Sequence, residues 1–302
     1  MNGSHSIERT NNGIALFIMG HKGYEVLRMI SAIAPEMIEI VISASDTQVQ
    51  NDFFLDIREH CVAHHLKFAT REERLDINAG YAFAISWRWL IKLNDTQVIV
   101  FHDSLLPRYR GFNPLVTCLI NGETEIGVTA LFASEEYDRG DIIAQALTKI
   151  TYPIKIQKAI ELVSQNYVAL ARRLLVEITT GKVLHRHAQN EGMASFSLWR
   201  DDNDYQIDWS KSASHISRFV DAVGSPYRGA FTMVDGRPAR LLDADVLDDV
   251  TIENRFPGKV VFIREQYPIV VCGEGLLRVR NLVDDETGQS LLPLAKFRTR
   301  FT

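Results

Sequence analysis

The sequence has few cysteines, and they are not grouped. Its 302 residues include only Cys61, Cys118 and Cys272, none of them in Cys-x-x-Cys spacing or close to a suitable histidine cluster. This distribution argues against a disulfide framework and against a zinc site built on closely spaced thiolates. We therefore predict reduced thiols, a cytoplasmic location and no bound metal.

Long apolar runs and long basic runs are also missing. No segment has the ~20 consecutive apolar residues of a membrane span, and the formal net charge is -5. A nucleic-acid partner or a membrane partner is therefore not expected, although a local Lys/Arg patch could still hold an anionic substrate. Residues 1–12 are polar, lack the apolar core of a signal peptide and are predicted to be a disordered leader.

What the sequence does contain is enough apolar material for two domains, since 46% of its residues are hydrophobic and 24% are charged. Between residues 13 and 182, short apolar runs alternate with helical periodicity, which predicts a Rossmann-like, mostly parallel sheet. The predicted strands are Ile14–Met19, Ile38–Ser43, Tyr81–Ile85, Val98–Phe101, Ile126–Phe132 and Ile142–Ile150. The predicted helices are 24–33, about 50–65, 114–120 and 156–179, with a further short helix between the strands at Tyr81 and Val98.

A second, smaller domain is predicted from residue 194 to residue 302, after a polar linker at 183–193. Short β-rich runs recur there at 229–234, 239–242, 258–263, 269–272 and 276–282, with one helical stretch at 212–223. Turn residues separate these runs, which favours a mainly β module such as an OB-like barrel. The predicted fold class is therefore α/β, with a β-rich C-terminal domain.

The glycine-rich segment Gly20-His21-Lys22-Gly23 follows the first predicted strand. It matches neither the dinucleotide fingerprint nor the P-loop pattern. We interpret it as a tight turn between strand and helix, with Lys22 as a candidate contact to an anionic substrate. The histidine pairs His64-His65 and His185-x-His187 lack further ligands at metal spacing and are interpreted as solvated side chains.

A histidine follows the predicted strand Val98–Phe101, in the segment Phe101-His-Asp-Ser-Leu-Leu-Pro-Arg-Tyr-Arg-Gly111. A second polar loop, Tyr137-Asp-Arg-Gly-Asp-Ile-Ile143, comes a few dozen residues later. Open α/β sheets bind their ligands outside the carboxyl ends of the strands. A histidine at that edge with an acidic partner indicates proton-transfer chemistry.

These segments resemble the 10-formyltetrahydrofolate-dependent formyltransferases, whose first domain carries an Asn-x-His-x-Ser-Leu-Leu-Pro strand end and a downstream Asp-x-Gly. The matching positions here are His102, Ser104, Leu105, Leu106, Pro107, Asp138 and Gly140. In the second domain, Ile207–Ser210, Pro226–Thr232 and Pro257-Gly258 look like landmarks of the same family. The segment Ser197–Tyr205 is closer to the nucleotide-sugar N-formyltransferases than to the methionyl-tRNA enzymes.

The resemblance implies a role for each matching segment. His102 would accept or relay the proton of an attacking amine, and Asp138 would orient it. N10-formyltetrahydrofolate would be the formyl donor, without a metal, and its pterin would bind between the folate loop and the loop after Asp138. The implied folate-binding residues are Ile85, Ser86, Trp87, Arg88, Trp89, Leu90, Ser104, Leu105, Leu106, Gly140, Asp141 and Ile142. The alternative for Trp87 and Trp89, which the family match disfavours, is that they are helix-start aromatics packing on the core. Arg88 could meet the glutamyl carboxylate of folate.

The implied acceptor is an amino-sugar nucleotide. Arg108, Tyr109, Arg110 and Lys22 are the candidate substrate-binding residues, and the alternative for the Arg-Tyr-Arg segment is a solvated basic loop. Initiator methionyl-tRNA is the second candidate acceptor, disfavoured by the acidic balance of the chain. A homodimer is possible in this family.

One position departs from the family pattern. Val100 stands where the family has its catalytic Asn, and it cannot donate a hydrogen bond to a developing oxyanion. Losing one such donor costs about 10²- to 10³-fold in rate. The candidate replacements are Asn78, Asn94, Asn113, a backbone amide of the 104–106 turn, and the side chains of Asp103 and Ser104. The alternative is a weakly active or noncatalytic protein that binds folate or a nucleotide sugar.

Overall fold

The structure is a computed structural model that describes residues 12–47, 49 and 51–302. Except for Asn12, the predicted leader lies outside the described residues. The elements of the N-terminal domain are β1 (Ile14–Ile18), α1 (Gly20–Ile33), β2 (Ile38–Ser43), α2 (Phe54–Ala63), β3 (Phe68–Thr70), β4 (Tyr81–Ile85), β5 (Gln97–His102), β6 (Arg110–Gly111), α3 (Pro114–Asn121), β7 (Glu125–Phe132), β8 (Ile142–Lys149) and α4 (Ile156–Thr179).

Seven of these strands form one sheet in the order β3-β2-β1-β4-β5-β7-β8. The first five are parallel, and β7 and β8 extend the sheet antiparallel from β5. The apolar run of β1 is buried at every residue, as expected of a strand that is covered on both faces. The predicted Rossmann-like, mostly parallel sheet is confirmed, and the carboxyl ends of β1, β4 and β5 lie side by side at one edge.

Two local predictions were wrong. The segment Gly20-His21-Lys22-Gly23 is the first turn of α1, not a separate tight turn. A Cβ at Gly23 would lie 2.8 Å from the Cβ of Ile18, so glycine lets the helix begin directly against the end of β1. The short helix expected between β4 and β5 is absent, because residues 86–96 form an irregular loop that Ser86 opens with a φ of 54°.

The C-terminal domain contains β9 (Phe196–Ser197), α5 (Ala213–Ala222), β10 (Ala230–Val234), β11 (Arg237–Leu247), β12 (Val260–Arg264), β13 (Tyr267–Val271) and β14 (Leu276–Asp284). Three short 3-10 helices complete the described elements: Pro35–Met37, Glu191–Met193 and Asp202–Tyr205. Strands β10 to β14 form one antiparallel sheet in the order β10-β11-β14-β13-β12. The predicted mainly β domain is therefore present.

The last four residues connect the two edges of this sheet. Phe301 forms an antiparallel bridge with Val234 at the end of β10, and Arg300 forms one with Lys259 next to β12. The backbone amide of Met233 donates to the carbonyl of Thr302 at 2.7 Å. The five-stranded sheet is thereby closed in the manner of a small barrel, which protects its edges.

The two domains share direct contacts. Arg218 on α5 donates to the carbonyl of Ile120 at the end of α3, at 3.0 Å. Lys155, just before α4, forms ion pairs with Asp221 at 2.8 Å and Asp243 at 2.5 Å. These contacts fix the C-terminal domain beside the carboxyl edge of the parallel sheet. Within the described chain, no helix has the length and apolarity needed to cross a membrane.

Candidate active site

A cavity of about 330 Å³ opens at the carboxyl ends of β4 and β5; it is called the His102 cavity below. His102 is the last residue of β5, and Val100, two residues earlier, lines the same cavity. Since side chains alternate along a strand, residues 100 and 102 point to the same face. The cavity therefore lies where open α/β sheets place their ligands.

The ring of His102 lies between two hydrogen-bond acceptors. Its Nε2 is 2.8 Å from the carbonyl oxygen of Tyr109, and its Nδ1 is 3.4 Å from Oδ1 of Asp138. The side chain is buried, with 8% exposed. A neutral ring that donates to one acceptor leaves its other nitrogen able to take a proton, which the second acceptor then stabilises. Both ring nitrogens therefore face acceptors on the protein, and a substrate amine has to approach one of them to transfer its proton.

The carboxylate and the loop of Asp138 are held in place by two other segments of the chain. Its Oδ2 accepts from the backbone amide of Gly111 at 2.8 Å, and the residue has a φ of 58°. The side-chain amide of Gln189 donates to the carbonyls of Asp138 and Gly140 at 2.7 and 2.9 Å. With one oxygen fixed by Gly111, the other faces the His102 ring. Asp138 can thus orient the histidine, as the resemblance implied.

The residues after Asp138 support this loop but do not line the cavity. A Cβ at Gly140 would lie 1.8 Å from the carbonyl oxygen of Phe132, so only glycine fits there. The carbonyl of Asp141 accepts from the amide of Phe132 at 3.0 Å, and Ile142 pairs with His187 of the linker. The structure thus places Gly140, Asp141 and Ile142 behind the site.

Aromatic side chains form one wall of the His102 cavity. Of the residues that the resemblance implied as folate-binding, Ser86, Trp87, Arg88, Trp89 and Leu90 line this cavity, whereas Ile85 is fully buried in the sheet. Trp87 packs edge-on against Phe17 with a centroid distance of 5.3 Å and against Trp89 at 5.1 Å. These contacts hold the indoles in fixed orientations beside a slot that a flat ring system could occupy.

A buried ion pair lies next to His102. The ammonium of Lys22 contacts the carboxylate of Asp103, and the hydroxyl of Tyr167 donates to the same carboxylate. Burial alone would raise the pKa of Asp103, but the charge and hydrogen bond of Lys22, together with Tyr167, bring it below the ordinary value. Lys22 and Asp103 keep 13% and 18% of their side chains exposed. The cavity therefore has a cation at its wall, fixed by an ionised carboxylate.

The Ser104–Leu106 turn follows the end of β5 and lies outside the lining of the His102 cavity. The Ser104 hydroxyl donates to the carbonyl of Arg108 at 2.7 Å, and the amide of Leu106 donates to Thr129 at 3.0 Å. The amide of Ser104 donates to the carbonyl of His102 at 2.8 Å. Ser104, Leu105 and Leu106 do not line the His102 cavity, and the amides of Ser104 and Leu106 already have acceptors in the His102 carbonyl and the Thr129 hydroxyl.

The Arg-Tyr-Arg segment faces away from the cavity. Arg108 forms an ion pair with Glu123, and the hydroxyl of Tyr109 donates to the same carboxylate at 2.5 Å. Arg110 is 1% exposed. Its guanidinium donates to the side chain of Gln189 at 2.7 Å and to that of Glu191 at 2.8 Å. Of the four predicted substrate contacts, only Lys22 lines the His102 cavity. Arg110 holds the linker instead, because its buried guanidinium needs those partners.

Only some of the candidate substitutes for the family Asn line the His102 cavity. Val100 lines the cavity without a polar atom, whereas Asn113 lines it at the start of α3 with a φ of 48° and no capping hydrogen bond from its side chain. Asn78 and Asn94 lie outside the cavity lining. Asp103 lines the cavity, but its carboxylate accepts hydrogen bonds and cannot donate them when ionised.

A second cavity, of about 380 Å³, lies between the start of α1, the loop after β2 and residues Ser225–Tyr227 of the C-terminal domain. It is called the interdomain cavity below. Lys22, Ser86, Arg88 and Tyr227 line both cavities. The two spaces therefore meet close to His102. Arg88 forms an ion pair with Asp46 at this border.

Several site residues gave no local signal in the sequence. Tyr167 comes from the middle of α4, Gln189 from the linker and Tyr227 from a loop of the C-terminal domain. Each lies more than 50 residues from the partner that it contacts or faces, and single-sequence periodicity does not report such distances. Asp103 was predicted only as a candidate replacement for the family Asn, and its ion pair with Lys22 was not predicted. Among the described residues, no group of three or more His, Cys, Asp or Glu side chains could hold a metal ion.

Two family models match the chain. Residues 66–178 match the formyl transferase domain, which includes His102 and Asp138, and residues 200–291 match the formyl transferase C-terminal domain. The methionyl-tRNA formyltransferase of Geobacter sulfurreducens is 30% identical over 203 residues, which cover 67% of this chain and 62% of that protein. The chain thus spans less than two thirds of that relative.

Solved structures with the same fold include two formyltransferases. The N-formyltransferase from Helicobacter canadensis, solved with folinic acid and dTDP-3-aminofucose, has a TM-score of 0.69 at 17% identity, covering 88% of this chain and 98% of that one. WlaRD, a sugar 3N-formyl transferase solved with dTDP and 5-N-formyl-THF, has a TM-score of 0.67 at 19% identity, covering 94% and 98%. At these identities the likeness is one of fold. With both domains matched in order, the chain belongs to the formyl transferase family.

Proposed function

We propose that the protein transfers a formyl group from N10-formyltetrahydrofolate to the primary amine of an amino-sugar nucleotide. The observation that carries this proposal is the His102–Asp138 pair, which lies on the wall of a cavity that also has a fixed aromatic face. The amine would attack the formyl carbon, and His102 would take the proton that the amine loses. Asp138 would orient the ring and stabilise its charged form.

The donor fits the His102 cavity on the basis of shape and chemistry. The pterin would lie along the Trp87–Trp89 wall, with its N10 side toward His102. In the second step the tetrahedral intermediate collapses, the bond from carbon to N10 breaks, and His102 returns the proton to N10. The same histidine therefore serves as base and then as acid, and the products are the formamide and tetrahydrofolate.

The acceptor would enter through the interdomain cavity, because that space adjoins the His102 cavity and shares Lys22 and Tyr227 with it. The amino-sugar nucleotide is supported by the Ser197–Tyr205 segment, which resembles the nucleotide-sugar enzymes, and by the sugar enzymes among the proteins of the same fold. Since Arg108 and Arg110 are turned away, we expect Lys22 and Arg88 to be the cations that meet the acceptor or donor. A homodimer stays a prediction.

Initiator methionyl-tRNA is the second candidate acceptor. It is favoured by the 30% identity to methionyl-tRNA formyltransferases and disfavoured by the net charge of -5. The two candidates differ in their response to salt, because a tRNA acceptor is bound through many phosphates. The rate with tRNA should fall steeply with ionic strength, while that with a nucleotide sugar should fall only slightly.

An acceptor competition tests the proposed function. The protein is incubated with N10-formyltetrahydrofolate, a panel of amino-sugar nucleotides and charged initiator tRNA, and each amine is followed by mass spectrometry. The proposal expects one amino-sugar nucleotide to gain the mass of a formyl group. Formylation of the tRNA alone would replace it with the second candidate. Folate binding without formylation of any amine would support a noncatalytic protein, the alternative that Val100 raises.

A further inference from the structure

We propose that Lys22 is a catalytic residue of this site, and that its ammonium group stabilises the oxyanion that forms on the formyl group. This inference rests on the proposed function. When the amine attacks the formyl carbon, the electrons of the carbonyl double bond move to oxygen, which then carries a negative charge. Stabilising that charge with a fixed donor is commonly the largest catalytic contribution in such transfers.

The strand that carries His102 supplies no such donor. Val100 faces the cavity on the same side of β5 as His102, and its side chain is apolar. The amides of Ser104 and Leu106 already donate, to the His102 carbonyl and to the Thr129 hydroxyl of β7. The donor must therefore come from another element that reaches the cavity.

Lys22 has the required position and charge. Of the residues that line the His102 cavity, Lys22 and Arg88 are the only permanent cations, and Arg88 is 48% exposed and paired with Asp46. Lys22 is only 13% exposed and is anchored by Asp103, the neighbour of His102 in sequence. It also lines the interdomain cavity, so it lies where donor and acceptor would meet.

The local structure favours a cation that donates rather than one that is neutralised. An ammonium has three N–H donors, and Asp103 accepts one of them. Lys22 is in the first turn of α1, where the positive end of the helix dipole also favours a negative charge on a bound substrate. The hydroxyl of Tyr167 donates a second hydrogen bond to the Asp103 carboxylate. The remaining N–H groups of Lys22 are available to a substrate oxygen.

His102 carries the only proton that moves between the two substrates during formyl transfer. The amine nitrogen bonds to the formyl carbon and loses one proton to His102, while the oxyanion accepts hydrogen bonds from Lys22 without taking its proton. The carbonyl then re-forms, the bond from carbon to N10 breaks, and N10 receives the proton from His102. Lys22 ends the cycle unchanged.

The test compares Lys22→Met, Val100→Asn and the double variant with the unmodified protein, by kcat, KM and folate binding. Met keeps the length of the side chain and removes the charge. We expect Lys22→Met to lower kcat by about 10²- to 10³-fold, with little change in folate binding. Asn at position 100 would point its amide into the same cavity. The double variant should therefore have a kcat at least about tenfold higher than that of Lys22→Met.

Because Lys22→Met leaves Asp103 unpaired, the comparison is repeated in an Asp103→Asn background, where the buried carboxylate is also removed. A Lys22→Met protein with near-normal kcat overturns the inference, and so does a rate loss that Val100→Asn does not rescue in either background, because that pattern indicates a purely structural lysine. Absence of formyl transfer by the unmodified protein overturns the proposed function itself, and this inference with it.

Discussion

The proton chemistry of this site depends on how His102 is held. Its two nitrogens face the Tyr109 carbonyl and the Asp138 carboxylate, and both partners can only accept hydrogen bonds. Each ring nitrogen therefore faces an acceptor when it carries a proton. The same geometry keeps the ring from rotating away from the cavity, because each nitrogen has a partner on the protein.

Replacement of either member of the pair should stop the reaction. We expect His102→Ala and Asp138→Ala to lower kcat by about 10²- to 10⁴-fold, because general acid-base catalysis contributes that much. Circular dichroism and folate binding should stay close to those of the unmodified protein. Glu136→Ala is the matched control, since this exposed carboxylate also lines the cavity but contacts Arg139 instead of His102. Near-normal turnover of His102→Ala would remove the histidine from the mechanism.

The Lys22–Asp103 pair predicts a pH dependence of stability. The pKa of Asp103 is held below its ordinary value of 3.8, so the folded state binds the proton less readily than the unfolded chain. The stabilisation is fully present above the ordinary value and is lost as the pH falls through the folded pKa. The free energy of unfolding, measured in urea between neutral and strongly acidic pH, should fall less steeply for Asp103→Asn than for the unmodified protein. Parallel curves for the two proteins would contradict this account.

At the scale of elements, the linker after α4 does more than join two domains. Gln189 receives hydrogen bonds from Arg110 and donates to the carbonyls of Asp138 and Gly140. His187 pairs with Ile142 at the start of β8. The strand end that follows His102 and the loop that carries Asp138 are thereby attached to one segment, which fixes the distance between the two catalytic groups.

Loss of this connection should affect catalysis more than folding. Gln189→Leu removes both donors to the Asp138 loop and leaves the Arg110 guanidinium without one of its acceptors. We expect kcat to fall by at least tenfold, because a displacement near 1 Å can cost about 10²-fold. Gln289→Leu, at an exposed glutamine of the C-terminal domain, is the control for the change in side chain. Equal kcat values for Gln189→Leu and the control would show that the linker does not position Asp138.

Gly140 is a second element-scale constraint. An alanine there would place its Cβ 1.8 Å from the Phe132 carbonyl, so the Asp138 loop would have to move away from β7. We expect Gly140→Ala to lower kcat together with the thermal midpoint. Gly224→Ala is the control, because Gly224, like Gly140, has no positive φ and its Cβ would lie no closer than 3.4 Å to another atom. A Gly140→Ala protein with unchanged kinetics would contradict the assigned packing.

The elements that periodicity predicted are those with long, regular apolar patterns. The observed bounds are close to the predicted ones for four strands and for the long helix α4; the strands are those at Ile14, Ile38, Tyr81 and Val98. A strand buried on both faces gives a continuous apolar run, and a helix buried on one side gives an apolar stripe, so both can be recognised from the sequence. The loop from Ser86 was predicted to contain a helix, but tertiary packing of Trp87 on Phe17 decides its course. Two-residue strands such as β6 and β9 depend on a partner far along the chain and leave no local pattern.

Site residues could likewise be predicted where a local sequence pattern marks them, and not where they depend on distant partners. His102 and Asp138 could be placed by motif, since each is close to a strand end or a tight loop. Arg110 could not, because an arginine in a basic loop looks the same in sequence whether it faces solvent or is buried against Glu191. Tyr227 reaches the cavity from the other domain, and only the domain arrangement reveals it.

At the scale of the whole molecule, the chain's last residues complete the C-terminal barrel, and the barrel completes the interdomain cavity. Phe301 is 1% exposed and packs edge-on against Trp209 at a centroid distance of 5.3 Å. Its backbone joins the two sheet edges. The position of Tyr227 at the cavities therefore depends on packing at the opposite end of the domain's sequence.

Removal of this aromatic anchor should destabilise the protein. Phe301→Ala is expected to lower the free energy of unfolding by about 3–5 kcal/mol, the usual cost of deleting a buried phenylalanine ring. Phe297→Ala is the matched control, because Phe297 lies four residues away and is 51% exposed. Urea unfolding curves of the three proteins give the comparison. A Phe301→Ala protein as stable as the control would show that the terminal segment does not close the barrel.

The most direct test of the central claim, formyl transfer at the His102–Asp138 pair, follows a label from donor to acceptor. N10-formyltetrahydrofolate carrying an isotopically labelled formyl carbon is mixed with the protein and the amine found in the acceptor competition. Labelled formamide is measured by mass spectrometry in single turnover for the unmodified protein and for His102→Ala. The account predicts labelled product with the unmodified protein and a loss of about 10²-fold or more with the variant. Equal rates for the two proteins would contradict it.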